Sequence, residues 1–464
     1  MLSVPDDLRQ RLQTYGQEHV LAGWDCLSDE ERRGLLDQVR GLDLEQLRTL
    51  YANRDHSFAV PPPERIQPVP VIRPGGDSAE ARRRGEEALR RGEVAVLLVA
   101  GGQGSRLGFE HPKGMFPVGP VSNKTLFQIH AEKVLALRGR YGKPLPFLVM
   151  TSPATDVETR AFFADHGNFG LAADEVAFFC QGTMPALDRT TGQLILEAPG
   201  RLFLSPNGHG GTLTALADSG LLGRLQREGI RHIFYFQVDN PLVKVADPLF
   251  LGHHVLTAAE VSAKIVAKES PTDKLGNLVL VDGRCTMIEY SDLPESLARQ
   301  TDEQGRLRIW AGSPAIHIFD VEFLRRMVGE GVKIPFHVAK KKVPYLDAGG
   351  RVVQPAQENA LKFELFIFDV LPLAETCTVV ETSRCEEFVP LKNATGADSP
   401  ERVRQAQSDL FAGWLGRAGV TVPRKADGSA AVALEVSPLF ALDAEELATK
   451  VDRSRKIDGP TYFK

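Results

Sequence analysis

The sequence is poor in the features that mark the simpler functional classes. Its five cysteines (Cys26, Cys180, Cys285, Cys377 and Cys385) are scattered, with no C-x-x-C pair, which argues against a disulfide scaffold and points to a reducing compartment. The histidines fall into no H-E-x-x-H or similar ligand spacing, so a built-in zinc site is not expected. No apolar run approaches the ~18 residues of a membrane helix. The opening M-L-S-V-P-D-D-L-R lacks a basic-then-apolar signal pattern, and the expected location is the cytoplasm. A formal net charge of −5 leaves no basic field for nucleic acid or a membrane surface. Both common nucleotide motifs are also missing. A dinucleotide loop would need glycine where Leu107 stands, and no Gly-Lys-Ser/Thr completes a P-loop.

What is present is an ordinary globular composition, 43% apolar and 25% charged over 464 residues, long enough for about three domains at ~150 residues each. The chain is organised around V-A-V-L-L-V-A-G-G-Q-G-S-R-L-G, Val94 to Gly108. Its apolar, β-branched first half reads as a parallel strand buried on both faces. Its second half sets Gly101, Gly102, Gly104 and Gly108 around Arg106. Glycines let backbone N–H groups approach an anion, and the carboxyl edge of an open α/β sheet is where ligands bind. A tight turn without a ligand also fits glycine alone.

In chain order, apolar stripes predict helices from Met1 to about Asn53, with Ser28 and Glu31 spaced as a capping box. Val60 to Gly76 is too rich in proline for helix and reads as a connector. A charged helix over Ala79–Arg91 leads to the central strand, its Arg82-Arg83-Arg84 taken as a solvated face. Strands over Pro146–Ser152 and Val176–Cys180 alternate with helices over Lys124–Leu137 and Thr155–Asp165, the pattern of a doubly wound sheet. A second glycine cluster, S-P-N-G-H-G-G-T-L, precedes a helix over Leu213–Glu228. The strand H-I-F-Y-F-Q-V-D-N-P then carries Asp239 at its end, where a carboxylate suits Mg²⁺ beside phosphates, or simply a turn. Strands over 262–267, 276–281, 286–290 and 315–319 form a mixed-sheet extension. Lys340-Lys341-Lys342 reads as an exposed edge, and Leu361–Leu371 as a helix bearing Lys362, Phe366 and Phe368. A helix over Pro400–Leu415 and a short β-like tail finish the chain.

A-G-G-Q-G-S-R-L-G followed by P-K-G-M and K-T-L-F-Q-I resembles the UDP-sugar pyrophosphorylases, closest to the eukaryotic-type UDP-N-acetylglucosamine branch. The likeness extends through Y-G-Q-E-H-V-L, F-F-C-Q-G-T-M-P-A, V-D-N-P-L-V-K-V-A-D-P, I-E-Y-S-D, F-I-F-D-V and P-L-K-N-A, in order over most of the chain. The resemblance implies an α/β fold with a doubly wound mixed sheet. It also implies three parts: a helical segment and connector over 1–78, a nucleotide-binding and catalytic domain over 79–392, and a small C-terminal domain over 393–464. The implied reaction joins UTP and a sugar 1-phosphate into a UDP-sugar and pyrophosphate, with Mg²⁺. Carried over by motif, Val99, Ala100, Gly101 and Gly102 lie against the uridine, and Gln181 and Gly208 read the uracil. Arg106, Lys113 and Lys392 form the catalytic set on the phosphates, Lys362 binds a phosphate of UTP, and Asp239 holds the metal. Gly276, Glu289 and Tyr290 contact the sugar, and Phe366 and Phe368 line its pocket.

The residue chemistry agrees with that reaction. Attack on the α-phosphorus brings two anions together, so alignment and charge neutralisation are the main tasks. A phosphate monoester is already an anion, and no acid or base is required. Three positions depart from the N-acetylglucosamine branch. His209 stands where that branch has Asn and the glucose and broad-specificity branches commonly have His, Ser313 stands where that branch has an Asn, and Asn277 replaces a small apolar residue. All three are placed to touch the hexose, His209 as a hydrogen-bond donor to sugar or ribose. The main expectation is N-acetylglucosamine 1-phosphate. The alternatives are glucose 1-phosphate or a broad substrate range and, in another class, a non-catalytic UDP-sugar sensor.

Overall fold

The computed structural model describes residues 2–55, 60–75, 78–347 and 349–464; the Gly76 end of the connector lies outside them. The chain forms two compact units. The larger joins Val60–Cys180, Thr212–Val332 and Val370–Lys464, and the smaller joins Met1–Ala59, Gln181–Gly211 and Lys333–Asp369.

An eleven-stranded sheet organises the larger unit. Val94–Val99 lies between two parallel neighbours, His232–Gln237 and Phe147–Thr151, with Val176–Cys180 parallel at the far side. Val94, Ala95, Val96, Leu97 and Leu98 are each at most 1% exposed, so both faces are covered, as the unbroken apolar run demands. The other half is mainly antiparallel: His317–Asp320, Val261–Ala267, Ala311–Ser313, Gly276–Val281 and Ile66–Pro68 follow one another outward. One apolar core joins Val96, Leu98, Val149, Phe234 and Phe236 of the sheet to Leu89, Phe127, Phe163, Phe250 and Val403 of the helices. Helices Ala79–Arg91 and Pro248–Leu256 cross at two glycines. A Cβ on Gly252 would sit 1.6 Å from the Ala81 carbonyl oxygen. The C-terminal stretch braces the loop after the central strand, because the Glu435 carboxylate accepts the N–H groups of Val121 and Ser122 at 2.8 and 2.7 Å.

In the smaller unit the expected capping box is present, Ser28 and Glu31 exchanging both hydrogen bonds at the start of helix Asp29–Arg40. Leu8, Leu12, Leu35, Leu36 and Val39 pack on Leu187, Leu194, Leu361 and Phe363. Leu361–Leu371 is not the expected helix. Ala360–Leu365 is a strand between Phe336–Lys341 and Leu187–Asp188. Its buried residues Leu361, Phe363 and Leu365 alternate with half-buried Lys362 and Glu364, and pairing on both sides outweighs the helical period. Lys340 and Lys341 are exposed on the outer strand. In the larger unit, the helix expected over Leu213–Glu228 is two, Thr212–Asp218 and Leu221–Arg227. Gly220, at φ +74°, breaks it. Among the described residues, no helix is long and apolar enough to cross a membrane.

Candidate active site

In the larger unit the candidates gather at the carboxyl ends of two adjacent parallel strands, Val94–Val99 and His232–Gln237. The glycine loop doubles back on itself: Gly104 N–H donates to the His111 carbonyl at 2.9 Å and Lys113 N–H to Gly102 at 3.0 Å. A Cβ on Gly104 would lie 2.7 Å from the Phe109 carbonyl oxygen, and one on Gly114 would lie 2.2 Å from the Phe127 ring. These glycines are therefore demanded by close approach. Ser152 holds the loop's base, its hydroxyl donating to the Gly101 carbonyl at 2.8 Å. Arg106 lies in a one-turn 3₁₀ segment, exposed. It makes no hydrogen bond or ion pair among the described residues. Lys113 Nζ lies 3.8 Å from Asp239 Oδ2, and both side chains are mostly buried.

A second loop is tied to the Asp239 strand through Asn240, which is 2% exposed. Its amide donates to the Glu387 carbonyl at 2.8 Å and accepts from Val389 N–H at 3.1 Å. Leu391 N–H then donates to the Asp239 carbonyl at 2.8 Å, which sets Lys392 beside the same strand end. Beneath it, Lys264 Nζ, itself buried, bonds Asp247 Oδ2 at 2.8 Å and Glu387 Oε1 at 2.6 Å. The buried charges compensate one another, and burial of Asp247 is offset by Lys264, which holds its carboxyl below the usual range. Asn240, Glu387 and Lys264 were not apparent from sequence. Their only signal was the Asp-Asn-Pro ending of the strand.

The sugar candidates of this unit also converge. Gly276 pairs with Ser313 in antiparallel register, and a Cβ on Gly276 would meet Met287 Sδ at 2.8 Å and Glu289 Oε1 at 3.3 Å. Tyr290 is 48% exposed. Asn277 departs from expectation. Its side chain is fully buried, accepts from Lys268 Nζ at 2.7 Å and donates to the Ile288 carbonyl at 3.1 Å. Both amide atoms are committed inside the fold, and strand alternation turns Asn277 away from the face that Gly276 presents.

The smaller unit carries Gln181, Gly208, His209, Lys362, Phe366 and Phe368. Gln181 is buried. Gly208 has φ +88°, and a Cβ there would lie 2.4 Å from the Leu365 carbonyl oxygen, so the second glycine cluster packs directly on the Ala360–Leu365 strand. His209 stacks on Phe366 at 5.3 Å and 22°, with Phe368 at 5.5 Å. Ile367 N–H donates to His209 Nδ1 at 3.3 Å, leaving the ring proton of the neutral form on Nε2. Burial, with the nearby His337, lowers the His209 pKa to about 4. His337 was not foreseen; its ring lies 4.3 Å from Phe366 and its Nε2 2.9 Å from Asp369 Oδ2. Burial also pushes the Lys362 ammonium below its usual range, and Lys362 lies 5.6 Å from the Phe203 ring.

A sequence profile described as UTP–glucose-1-phosphate uridylyltransferase matches residues 53–440. The chain belongs to this uridylyltransferase family. Within it, the chain is 39% identical over 433 residues to the UDP-N-acetylhexosamine pyrophosphorylase-like protein 1 of Xenopus tropicalis, covering 89% of this chain and 84% of that one. It is 37% identical to UDP-N-acetylglucosamine diphosphorylase 2 of Arabidopsis thaliana, over 98% and 93% of the two chains. A crystal structure of the UDP-N-acetylglucosamine pyrophosphorylase of Trypanosoma brucei in complex with an inhibitor superposes with TM-score 0.79 at 26% identity, covering 97% of this chain and 95% of that one. The family likeness thus spans both units.

Proposed function

We propose that this family member is a uridylyltransferase that joins UTP and a sugar 1-phosphate, preferably N-acetylglucosamine 1-phosphate, into a UDP-sugar and pyrophosphate. The observation that carries the reading is the convergence of the glycine loop, Lys113 and Asp239 at one sheet edge, in a chain whose relatives bear that activity in their names. An oxygen of the sugar 1-phosphate attacks the α-phosphorus of UTP. The bond from that phosphorus to the oxygen bridging to the β-phosphorus breaks, and pyrophosphate leaves with its electron pair. No proton transfer is needed. Arg106 and Lys113 lie against the triphosphate, while the loop backbone from Val99 to Gly102 takes the nucleotide. Lys392 and Lys362 neutralise phosphates, and Gln181 with Gly208 selects uracil.

A single carboxylate beside anionic ligands suits Mg²⁺, which keeps waters and phosphate oxygens as its other ligands. The donor set around Asp239 fits that ion, with Asp239 as the protein's ligand. When bound, the ion supplies charge neutralisation at the phosphates. Asp239→Asn should then raise the Mg²⁺ concentration needed for half-maximal rate, and an unchanged titration removes Asp239 as a ligand.

For the sugar, we assign Gly276, Glu289, Tyr290 and Ser313 in the larger unit; in the smaller unit His209, Phe366 and Phe368 form a candidate cluster of their own. His209 favours a second reading, glucose 1-phosphate or a broad range, since an imidazole stands where the N-acetylglucosamine branch carries an amide. Rates with the two sugar phosphates at equal UTP separate them. A strong preference for glucose 1-phosphate overturns the first reading.

A further inference from the structure

At the opposite edge of the sheet from Asp239, where the strand His232–Gln237 begins, three side chains from distant parts of the chain meet. One potential ligand atom from each of His232, His254 and Asp320 lies within 4.8 Å of the other two. His232 pairs with Asp320 in antiparallel register, and its Nδ1 is 3.9 Å from Asp320 Oδ2. The imidazoles stand edge to face, centroids 4.9 Å apart at 86°. Both histidines are more than nine-tenths buried, yet His232 Nδ1 and His254 Nε2 have no hydrogen-bond partner among the described residues. Unpaired ring nitrogens in a fold's interior call for an explanation.

Two of the three residues have their other polar atom anchored. His254 Nδ1 lies 2.8 Å from the Ser262 hydroxyl; in the tautomer whose Nδ1–H donates to that oxygen, the lone pair falls on Nε2. Asp320 Oδ1 caps helix Val321–Gly329 by accepting Glu322 N–H at 2.8 Å. This is how metal-binding histidines and carboxylates are oriented, one atom held and the other presented. The cluster borders a cavity of about 300 Å³ also lined by Arg91 and Glu260, which gives an ion a route in and room for a water.

We propose that His232, His254 and Asp320 bind a divalent transition-metal ion of the zinc type, separate from the Mg²⁺ proposed at Asp239. Two imidazoles and one carboxylate are the donor set of borderline-soft ions, while Mg²⁺ prefers oxygen alone. Tetrahedral Zn²⁺ with bonds of about 2.0–2.1 Å needs ligand atoms about 3.4 Å apart, so the cluster closes by no more than about 1.5 Å. The fourth position faces the cavity and takes water. The ion would tie the start of one strand, the end of another and helix Pro248–Leu256, a structural role remote from the glycine loop. No local spacing rule reveals it, because each ligand comes from a different element.

The test uses the full chain, stripped with a chelator and titrated with Zn²⁺ in excess Mg²⁺, alongside Co²⁺ followed by its visible absorption. The expected result is one equivalent of Zn²⁺ and the intense bands of four-coordinate Co²⁺. His254→Gln should weaken Zn²⁺ binding at least 100-fold and Ser262→Ala 10- to 100-fold, while Asp239→Asn leaves it unchanged. Failure of the folded wild-type chain to bind a stoichiometric Zn²⁺ overturns the proposal. So does binding that Ser262→Ala and His232→Gln leave intact, or that Asp239→Asn abolishes. If His254→Gln does not fold, the wild-type Co²⁺ spectrum and Ser262→Ala decide. Uridylyl transfer is read separately, so loss of one proposal does not touch the other.

Discussion

Lys113 Nζ and Asp239 Oδ2 face each other across 3.8 Å. They belong to different elements, a turn closing the glycine loop and the end of the neighbouring parallel strand. Their charges balance in the free protein. On our reading a triphosphate with its cation separates their roles, the lysine turning to phosphate and the carboxylate to metal. A charge-assisted hydrogen bond contributes about 1.5–3 kcal/mol, so Lys113→Ala should lower kcat/KM by about 10- to 150-fold. Steady-state kinetics with saturating Mg²⁺ measure this, and an unchanged value removes Lys113 from the phosphate site.

Arg106 is exposed and unpaired among the described residues, free to meet a ligand without breaking an internal contact. Its charge matters most where charge develops, in the transition state. Arg106→Ala should keep UDP-sugar affinity within about tenfold by calorimetry while turnover falls by about 10²- to 10³-fold. Equal losses in affinity and turnover would make it a ground-state binder only.

His130 is fully buried, its Nε2 bonded to the Val238 carbonyl at 3.0 Å and its ring edge-on to Phe236 at 4.9 Å. Burial, then the charge of Lys133, lowers its pKa to about 3. The unfolded chain takes up this proton below about 6.5, the folded chain only near 3, so acid favours unfolding across that window. Between pH 7 and pH 5 the wild-type chain should lose about 2 kcal/mol more than His130→Gln. Urea midpoints at the two pH values report it; parallel losses in both chains would contradict it.

Gly252→Ala tests the glycine crossing of helices Ala79–Arg91 and Pro248–Leu256. The methyl would meet the Ala81 backbone, which cannot swing aside as a side chain does. Overpacking of this kind costs about 1–3 kcal/mol or more, read as a lowered Tm. An unchanged Tm would mean that the helices separate at little cost.

Much of the fold was legible because the signals were local. Ala79–Arg91, Val94–Val99, Val176–Cys180 and Gly276–Val281 have the expected bounds, each carrying its own period and its own turn. The strand at Ala360–Leu365 was not, since its partners come from residues 187–188 and 336–341, and a short apolar run does not declare its period alone. Asn277 shows the same limit for the site. Its neighbour Gly276 pairs with Ser313, but a one-residue step turns a strand side chain to the other face.

The sequence alone determined the α/β class, the glycine loop after its buried strand and membership of the uridylyltransferase family, because backbone preferences and motif order are written along the chain. Only the tertiary structure decided that Lys113 meets Asp239, that Asn240 and Glu387 carry the Lys392 loop, and that His232, His254 and Asp320 converge. Those relations depend on which strands pair and in what register, and side-chain spacing along one segment contains no record of that.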